Sequence, residues 1–259
     1  MASHVKPKAN ATVLYLYGIT QKKVPLAPGV VGVDSSASIE AIECEGLVCW
    51  ISRVDKGEFV DNLASKLENL DWLAETSIRH QQVASAIAEH TEMLPARLGT
   101  VFLSTSSMEA DVRKNKRVLE ADFARVKDSE EWGVKVFAVT KKPEPPPEAM
   151  KSGREYLKAK AAMLQKPSTP EPDSEIEKFA EALRRIAVRT ADGGQISGAQ
   201  RGLKWQISLL LKRDDREKLD GLLKEYSGEW AEVRRIEVTG PWPPYSFVTR
   251  SRADSRGNG

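Results

Sequence analysis

Three prolines within four positions near the end of the chain constrain it more than any other stretch. The segment is Thr239-Gly240-Pro241-Trp242-Pro243-Pro244-Tyr245-Ser246-Phe247-Val248. Each proline fixes φ near −65° and removes a backbone donor, so the segment is expected to be stiff and close to polyproline II. Gly240 is expected to turn the chain where the preceding strand ends. Trp242, Tyr245 and Phe247 then present large apolar faces on a backbone that costs little entropy to order. Two readings stay open. The segment is a strap that closes a domain core, or it is a ligand for a partner's groove, with Pro241 and Pro244 making a minimal PxxP spacing.

The first half of the chain reads as strands and helical hairpins. Thr12–Gly18 is a run of β-formers, apolar on both faces, and belongs in the middle of a sheet. Gln21–Asp34, with Pro25, Pro28, Gly29 and Gly32, reads as loop with at most one short strand. Ser38–Glu43 and Leu47–Val54 form a hairpin around Glu45-Gly46. Glu58–Leu70 reads as helix. Asp71 is placed to cap a second helix, Trp72–His90, whose apolar stripe runs Leu73, Thr76, His80, Val83, Ile87. Met93–Phe102 returns to extended structure, with Pro95 and Gly99 breaking it. Ser106-Ser107-Met108-Glu109 has the form of a capping box before a helix with Met108, Val112, Leu119, Phe123 and Val126 on one side.

The second half has a different rhythm. Trp132–Thr140 is a strand, Lys141–Pro147 a proline-rich stretch, and Gly153–Gln165 helical. Ser174–Thr190 is a strong helix with Ile176, Phe179, Leu183 and Ile186 in register, ended by Asp192-Gly193-Gly194. Leu203–Leu211 is a strand whose partner is expected near Gln195–Gln200. Asp214–Tyr226 is helical and Ala231–Thr239 is the last strand. The order is β-α-β-β-α-β, a ferredoxin-like arrangement. The fold class expected is therefore α+β with two domains. Residues 1–11 form a disordered N-terminus, 12–129 an N-terminal α+β domain, 130–240 a ferredoxin-like C-terminal domain, and 241–259 a Pro/aromatic tail.

Composition narrows the function. With 39 basic and 37 acidic residues among 259, the net charge is only +2. That balance disfavours a nucleic-acid binder, and Gly202-Leu203-Lys204-Trp205 does not fit the RNA-binding signature of a ferredoxin-like sheet. No apolar run reaches the ~18 residues of a membrane span, and Met1–Asn10 lacks the apolar core of a signal peptide. A cytoplasmic protein with no membrane partner is expected. His4, His80 and His90 are not spaced as metal ligands, and Cys44 and Cys49 lack histidine neighbours for zinc. Nucleotide-binding glycine loops and a nucleophile elbow are missing. No catalytic residue, metal or cofactor is expected. His80 reads as a satisfied core histidine before it reads as a general base. Arg97, set between apolar neighbours, reads as a salt-bridge residue at a sheet edge or as a contact for an anion or a partner.

Five stretches resemble one known family in order. Gly240–Val248 closely resembles the C-terminal signature of the gas vesicle GvpF/GvpL family. Leu94-Pro95-Ala96-Arg97-Leu98-Gly99-Thr100-Val101-Phe102 resembles its LPxRFGTVF box, with Leu98 in place of the usual Phe. Tyr15-Leu16-Tyr17-Gly18-Ile19, Glu131-Trp132-Gly133-Val134-Lys135-Val136 and Ser152-Gly153-Arg154-Glu155-Tyr156-Leu157 fit in sequence. The resemblance spans roughly Thr12 to Val248. It implies a gas vesicle accessory protein or minor vesicle component, with the major shell protein and other accessory proteins as partners. It also implies localisation to the vesicle and no enzymatic activity. Arg97, Trp242, Pro243, Tyr245 and Phe247 are the candidate partner-binding or tail-docking residues. The competing reading is a ferredoxin-like small-molecule-binding protein or enzyme.

Overall fold

A computed structural model describes residues 11–139, 173–192 and 202–249. It is a mixed α+β protein with two antiparallel sheets. Its contacts divide it into one unit of residues 1–131 and 241–259 and another of residues 132–240.

The first unit is built on β1 (Thr12–Thr20). From Val13 to Thr20 every residue is buried, which only a strand covered on both faces can be. β2 (Ile39–Cys44) and β3 (Leu47–Asp55) form the expected hairpin, and β3 pairs antiparallel with β1. On the other side of β1 lie β4 (Met93–Pro95) and β5 (Val101–Phe102). Two helices follow β3 in sequence, α1 (Leu63–Glu68) and α2 (Leu70–Ala88). α2 packs Val83, Ala84 and Ile87 against Val13, Tyr15, Tyr17, Trp50 and Val54 on one face of the sheet. Another helix, α3 (Thr105–Val126), contacts β2, β4 and β5. The two faces of β1 thus have different covers.

Local chemistry moved several boundaries. The expected helix Glu58–Leu70 is instead a π-turn, Gly57–Asp61, and the short α1. Asn69 breaks it in extended geometry and caps α2, its side-chain oxygen accepting from the N–H groups of Asp71 and Trp72 at 3.1 Å each. Asp71 is therefore a first-turn residue, where its charge suits the helix dipole, and not the cap. Leu67 and Leu70 are exposed, because the break at Asn69 takes them off the stripe begun by Phe59. α3 starts two residues earlier than expected. Ser104 and Ser107 form its capping box, and Ser106 lies inside the helix. No strand forms in residues 21–38.

The described elements that make up the second unit are, in chain order, β6 (Ser129–Ala138), α4 (Ser174–Ile186), β7 (Arg189–Asp192), β8 (Leu203–Lys212), α5 (Arg216–Trp230) and β9 (Arg234–Trp242), of which β6 and β9 run a few residues past its bounds. The sheet order is β7-β8-β6-β9. Trp132, Val134 and Val136 alternate inward with Ile207, Leu209 and Leu211, and meet Ile176, Phe179 and Leu183 of α4. Phe179 also stacks near Tyr226 and Trp230 of α5, with ring centroids 4.7 and 5.3 Å away. α4 stops at Ile186, short of the expected Thr190. The β-branched residues Val188 and Thr190 favour a strand, and Val188 N–H donates to Leu210 C=O at 2.8 Å. β7 is thus the partner of β8; the expected partner near Gln195–Gln200 lies outside the described residues, as do Lys141–Pro147 and Gly153–Gln165. β9 runs through Gly240 to Trp242, past the point where the glycine was expected to end it.

β4 passes tightly against Gly18. A Cβ there would sit 2.2 Å from Met93 Cε and 2.6 Å from the Leu94 carbonyl oxygen. The methionine tip can move; the β4 backbone cannot without losing its pairing. Gly18→Ala is expected to cost about 3 kcal/mol, read as a lower urea midpoint with unchanged slope. A variant as stable as the parent would show that β4 is not held this tightly.

Candidate functional site

The box Leu94–Phe102 is an interrupted edge strand. β4 pairs Met93, Leu94 and Pro95 with Thr20, Ile19 and Gly18, and β5 pairs Val101 and Phe102 with Tyr15 and Leu14. Between them the chain leaves the sheet in a bend closed by Thr100 N–H to Arg97 C=O, 3.1 Å, with Gly99 at φ 81°. A left-handed residue is cheap only for glycine.

Buried polar groups fix that bend. Gly99 N–H donates to Tyr15 Oη at 3.2 Å, and Tyr15 Oη lies 2.9 Å from His80 Nδ1. His80 Nε2 lies 3.1 Å from the Ala96 carbonyl oxygen. A carbonyl only accepts, so Nε2 carries the proton, Nδ1 accepts, and the tyrosine hydroxyl donates to it. The chain of donors is complete with a neutral imidazole. Burial lowers the His80 pKa from 6.5 to about 4, and burial likewise raises those of Tyr15 and Tyr17. His80 is therefore a neutral structural group that holds the Leu94–Phe102 box in shape. Tyr17 does the same for the loop before β2. Val33 N–H donates to its hydroxyl, which donates to Ser52 Oγ, each at 2.9 Å.

The proline/aromatic segment packs on the same unit, but not as an extended rod. Phe247 N–H donates to the Pro244 carbonyl at 3.1 Å and Tyr245 N–H to that of Pro243 at 2.8 Å. Proline's φ also suits the centre of a three-residue turn, where Pro244 sits, and a second turn then runs from Pro244 to Phe247. Pro243 and Phe247 are buried, Tyr245 is half-buried against the α2 side of the core, and Trp242 is 39% exposed. Two buried carboxylates hold the turn. Glu131 accepts from Ser246 N–H at 2.8 Å and from Ser246 Oγ at 2.6 Å. Asp122 of α3 accepts from Thr249 N–H and from Thr249 Oγ1, both at 2.7 Å. Arg125 pairs with Asp122 and donates to the Phe247 carbonyl at 2.9 Å. Each carboxylate thus reads one hydroxyl residue through both its main chain and its side chain.

Beneath the tail lies a cavity of about 130 Å³, lined by Leu16, Leu94, Arg97, Asn115, Tyr245 and Val248 among others. Small-molecule sites are usually about 300–1,000 Å³, so this one has room for a single side chain. Of the five residues singled out in the sequence, Arg97 and Tyr245 meet here; Pro243 and Phe247 anchor the turn, and Trp242 does neither. Arg97 is exposed on the bend. Asp122 and Glu131 were not legible as site residues. In sequence Asp122 only balances the nearby lysines and arginines, and Glu131 only opens a strand. Among the described residues no group of three or more His, Cys, Asp and Glu side chains could hold a metal. Cys44 and Cys49 are buried free thiols whose pKa values burial raises.

The chain is thus an α+β protein whose buried polar side chains at this site hold its own bend and tail. Comparison with known proteins gives the family. The model of the gas vesicle synthesis protein GvpL/GvpF family matches residues 13–249, and the chain belongs to that family. It is 28% identical over 254 residues to gas vesicle protein L of Streptomyces sp. (strain CB03234), covering 93% of this chain and 94% of the relative. It is 23% identical to gas vesicle protein F2 of Halobacterium salinarum, covering 91% of each. Crystal structures of GvpF from Anabaena sp. PCC7120 and Microcystis aeruginosa share the fold. Their TM-scores are 0.65 and 0.66 at 17% and 16% identity, over 93% and 92% of this chain and 97% and 99% of theirs. The family's description names gas vesicle synthesis and no reaction. No helix among the described residues is long and apolar enough to cross a membrane.

Two experiments test the site. His80 is neutral in the fold and charges in the unfolded chain at mild acid. Stability is full above about pH 6.5 and falls as the pH drops to about 4, by roughly 3 kcal/mol. Urea midpoints measured across that range should fall more steeply for the parent than for His80→Gln; parallel curves would remove the histidine from the account. Asp122→Ala leaves Arg125 and the Thr249 donors without their acceptor and is expected to cost about 2–3 kcal/mol. Limited proteolysis of that variant should cut first within residues 243–249.

Proposed function

We propose that this chain is a gas vesicle accessory or minor structural protein. It binds the major shell protein and other accessory proteins while a vesicle is nucleated and assembled, and it limits aggregation of shell protein. In this reading it works first in the cytoplasm and then at the vesicle, without nucleic acid, membrane or cofactor. The exposed Arg97 and Trp242 are its candidate partner contacts, while Pro243, Tyr245 and Phe247 dock the tail. The observation that carries the reading is membership of the GvpL/GvpF family over residues 13–249. The geometry supports it in a second way: the buried polar side chains at the candidate site bind the protein's own bend and tail, so what can engage another molecule is surface.

We also read the chain as two domains, the second a modified ferredoxin-like β-α-β-β-α-β sandwich. Supporting this are the element order β6-α4-β7-β8-α5-β9 and the sheet order β7-β8-β6-β9. In that arrangement the two strands flanking each helix are separated by one other strand or lie at opposite sides of a neighbour, as a split β-α-β requires.

A subunit with amphipathic strands aggregates by edge pairing unless its edge or apolar face is covered. A protein that covers it transiently suppresses that route. Co-expression of the shell protein with and without this chain, followed by measurement of shell protein in the soluble fraction, tests the role. More soluble shell protein in the presence of the chain is expected, and equal amounts would count against it.

A further inference from the structure

The outer side of β2 carries a row of backbone hydrogen-bonding groups that no strand pairs with among the described residues. Glu45 and Gly46 form the hairpin loop with φ of 54° and 82°, the geometry of a two-residue turn, so Cys44 and Leu47 are the hydrogen-bonded pair that closes it. Bonded and non-bonded pairs alternate along an antiparallel ladder. Ile42 with Cys49 and Glu40 with Ile51 therefore bond across to β3, and Ile39, Ala41 and Glu43 turn their N–H and C=O groups away from it. β2 is the last strand of its sheet among the described residues. Among the described residues no backbone bond from another segment reaches those three. Ile39 and Ala41 are half-buried and Glu43 is exposed.

The other sheet margins are managed. The β4–β5 margin is interrupted by the bend and pinned by Tyr15 and His80. β9 carries Pro241, which cannot donate, and an Arg235–Glu237 ion pair. β7 is four residues long. β2 has neither a proline nor a lysine in Ile-Glu-Ala-Ile-Glu-Cys.

We propose that β2 is an acceptor edge that takes up an extended segment of a partner polypeptide by antiparallel pairing. Ile39 and Ala41 pack at the margin of the core, so apolar residues opposite them would enlarge that core. Glu43 follows on the same face and makes no ion pair among the described residues, whereas Glu40 on the other face is engaged by Arg53 at 3.1 Å. Opposite charges facing each other across strands are favourable and like charges are not. The segment that fits therefore reads, in its own direction, basic, any, apolar, any, apolar. This inference rests on the reading that the chain holds other polypeptides.

The probe is a capped peptide, Thr-Lys-Thr-Val-Thr-Val-Thr, and its counterpart with Glu in place of Lys, titrated into the full chain. Residue-resolved hydrogen exchange by NMR is expected to slow about tenfold or more at the amides of Ile39, Ala41 and Glu43 with the Lys peptide. Glu43→Lys should reverse the preference, binding the Glu peptide about threefold more tightly. Unchanged exchange at those amides, or the same preference in Glu43→Lys, would overturn the proposal. Ala41→Pro removes an outward donor and no bond to β3. Retention of shell protein by the parent and its loss with Ala41→Pro supports the edge; equal retention by both overturns it. Retention by neither, with the peptide still protecting the three amides, leaves the edge standing and counts against the shell protein as partner.

Discussion

A strand buried on both faces that carries two tyrosines sets the terms for the first unit. Tyr15 and Tyr17 are fully buried in β1, and a buried hydroxyl without a partner costs about 1–3 kcal/mol. Each finds partners in irregular structure. Tyr15 takes the Gly99 amide and gives to His80; Tyr17 takes the Val33 amide and gives to Ser52. The bend after β4 and the loop before β2 are thus placed by hydroxyls in the middle of the sheet. This is why short, low-propensity segments such as residues 21–38 have a defined course without secondary structure of their own.

The tail obeys the same accounting with larger stakes. A buried carboxylate must be paired and hydrogen-bonded, and both Asp122 and Glu131 are buried. Their donors come from Ser246 and Thr249, at the end of the described chain. Undocking the tail would take the Ser246 and Thr249 donors away from both carboxylates, so the segment is bound into the fold by more than its aromatics alone. One group stands outside this pattern. The Tyr245 hydroxyl is buried with no hydrogen-bond partner among the described residues. Burial raises its pKa, with the Glu131 charge adding to the effect.

What could be read from sequence was what local pattern controls. The buried strand β1, the Glu45-Gly46 hairpin, the α2 stripe with His80 in it and the α4 stripe Ile176, Phe179, Leu183 all follow from spacing of two or 3.6. Helix ends did not, because several serines and acids compete for each cap: Asn69 rather than Asp71, Ser104 rather than Ser106. The length of α4 was overestimated because Val188 and Thr190 continue the pattern of a helix while pairing with β8. The site was least legible. Asp122 and Thr249 are 127 positions apart, and Glu131 and Ser246 are 115 apart. Nothing in a window of ten or twenty residues distinguishes a carboxylate that waits for a tail from one that faces water.

An open edge is useful for recognition only if it is already in shape. A two-stranded hairpin on its own is marginal, and a strand that must be ordered at the moment of binding loses affinity to that ordering. The β2–β3 hairpin is held at both ends. β3 is locked to β1 along nearly its whole length. At the tip, Arg113 Nε and Lys116 Nζ of α3 reach the Glu45 carboxylate at 2.6 Å and its carbonyl at 2.9 Å. Ser52 Oγ donates to the Ser38 carbonyl at 3.0 Å, just before β2 begins. The row of groups at Ile39, Ala41 and Glu43 is therefore presented by a strand fixed at its start, its tip and one side, with its outer side unpaired among the described residues and able to accept an incoming chain. Stiffness on three sides also bears on selectivity. A strand that cannot slide accepts a segment in one register, because a shift of one residue would bring the partner's alternate face against Ile39 and Ala41.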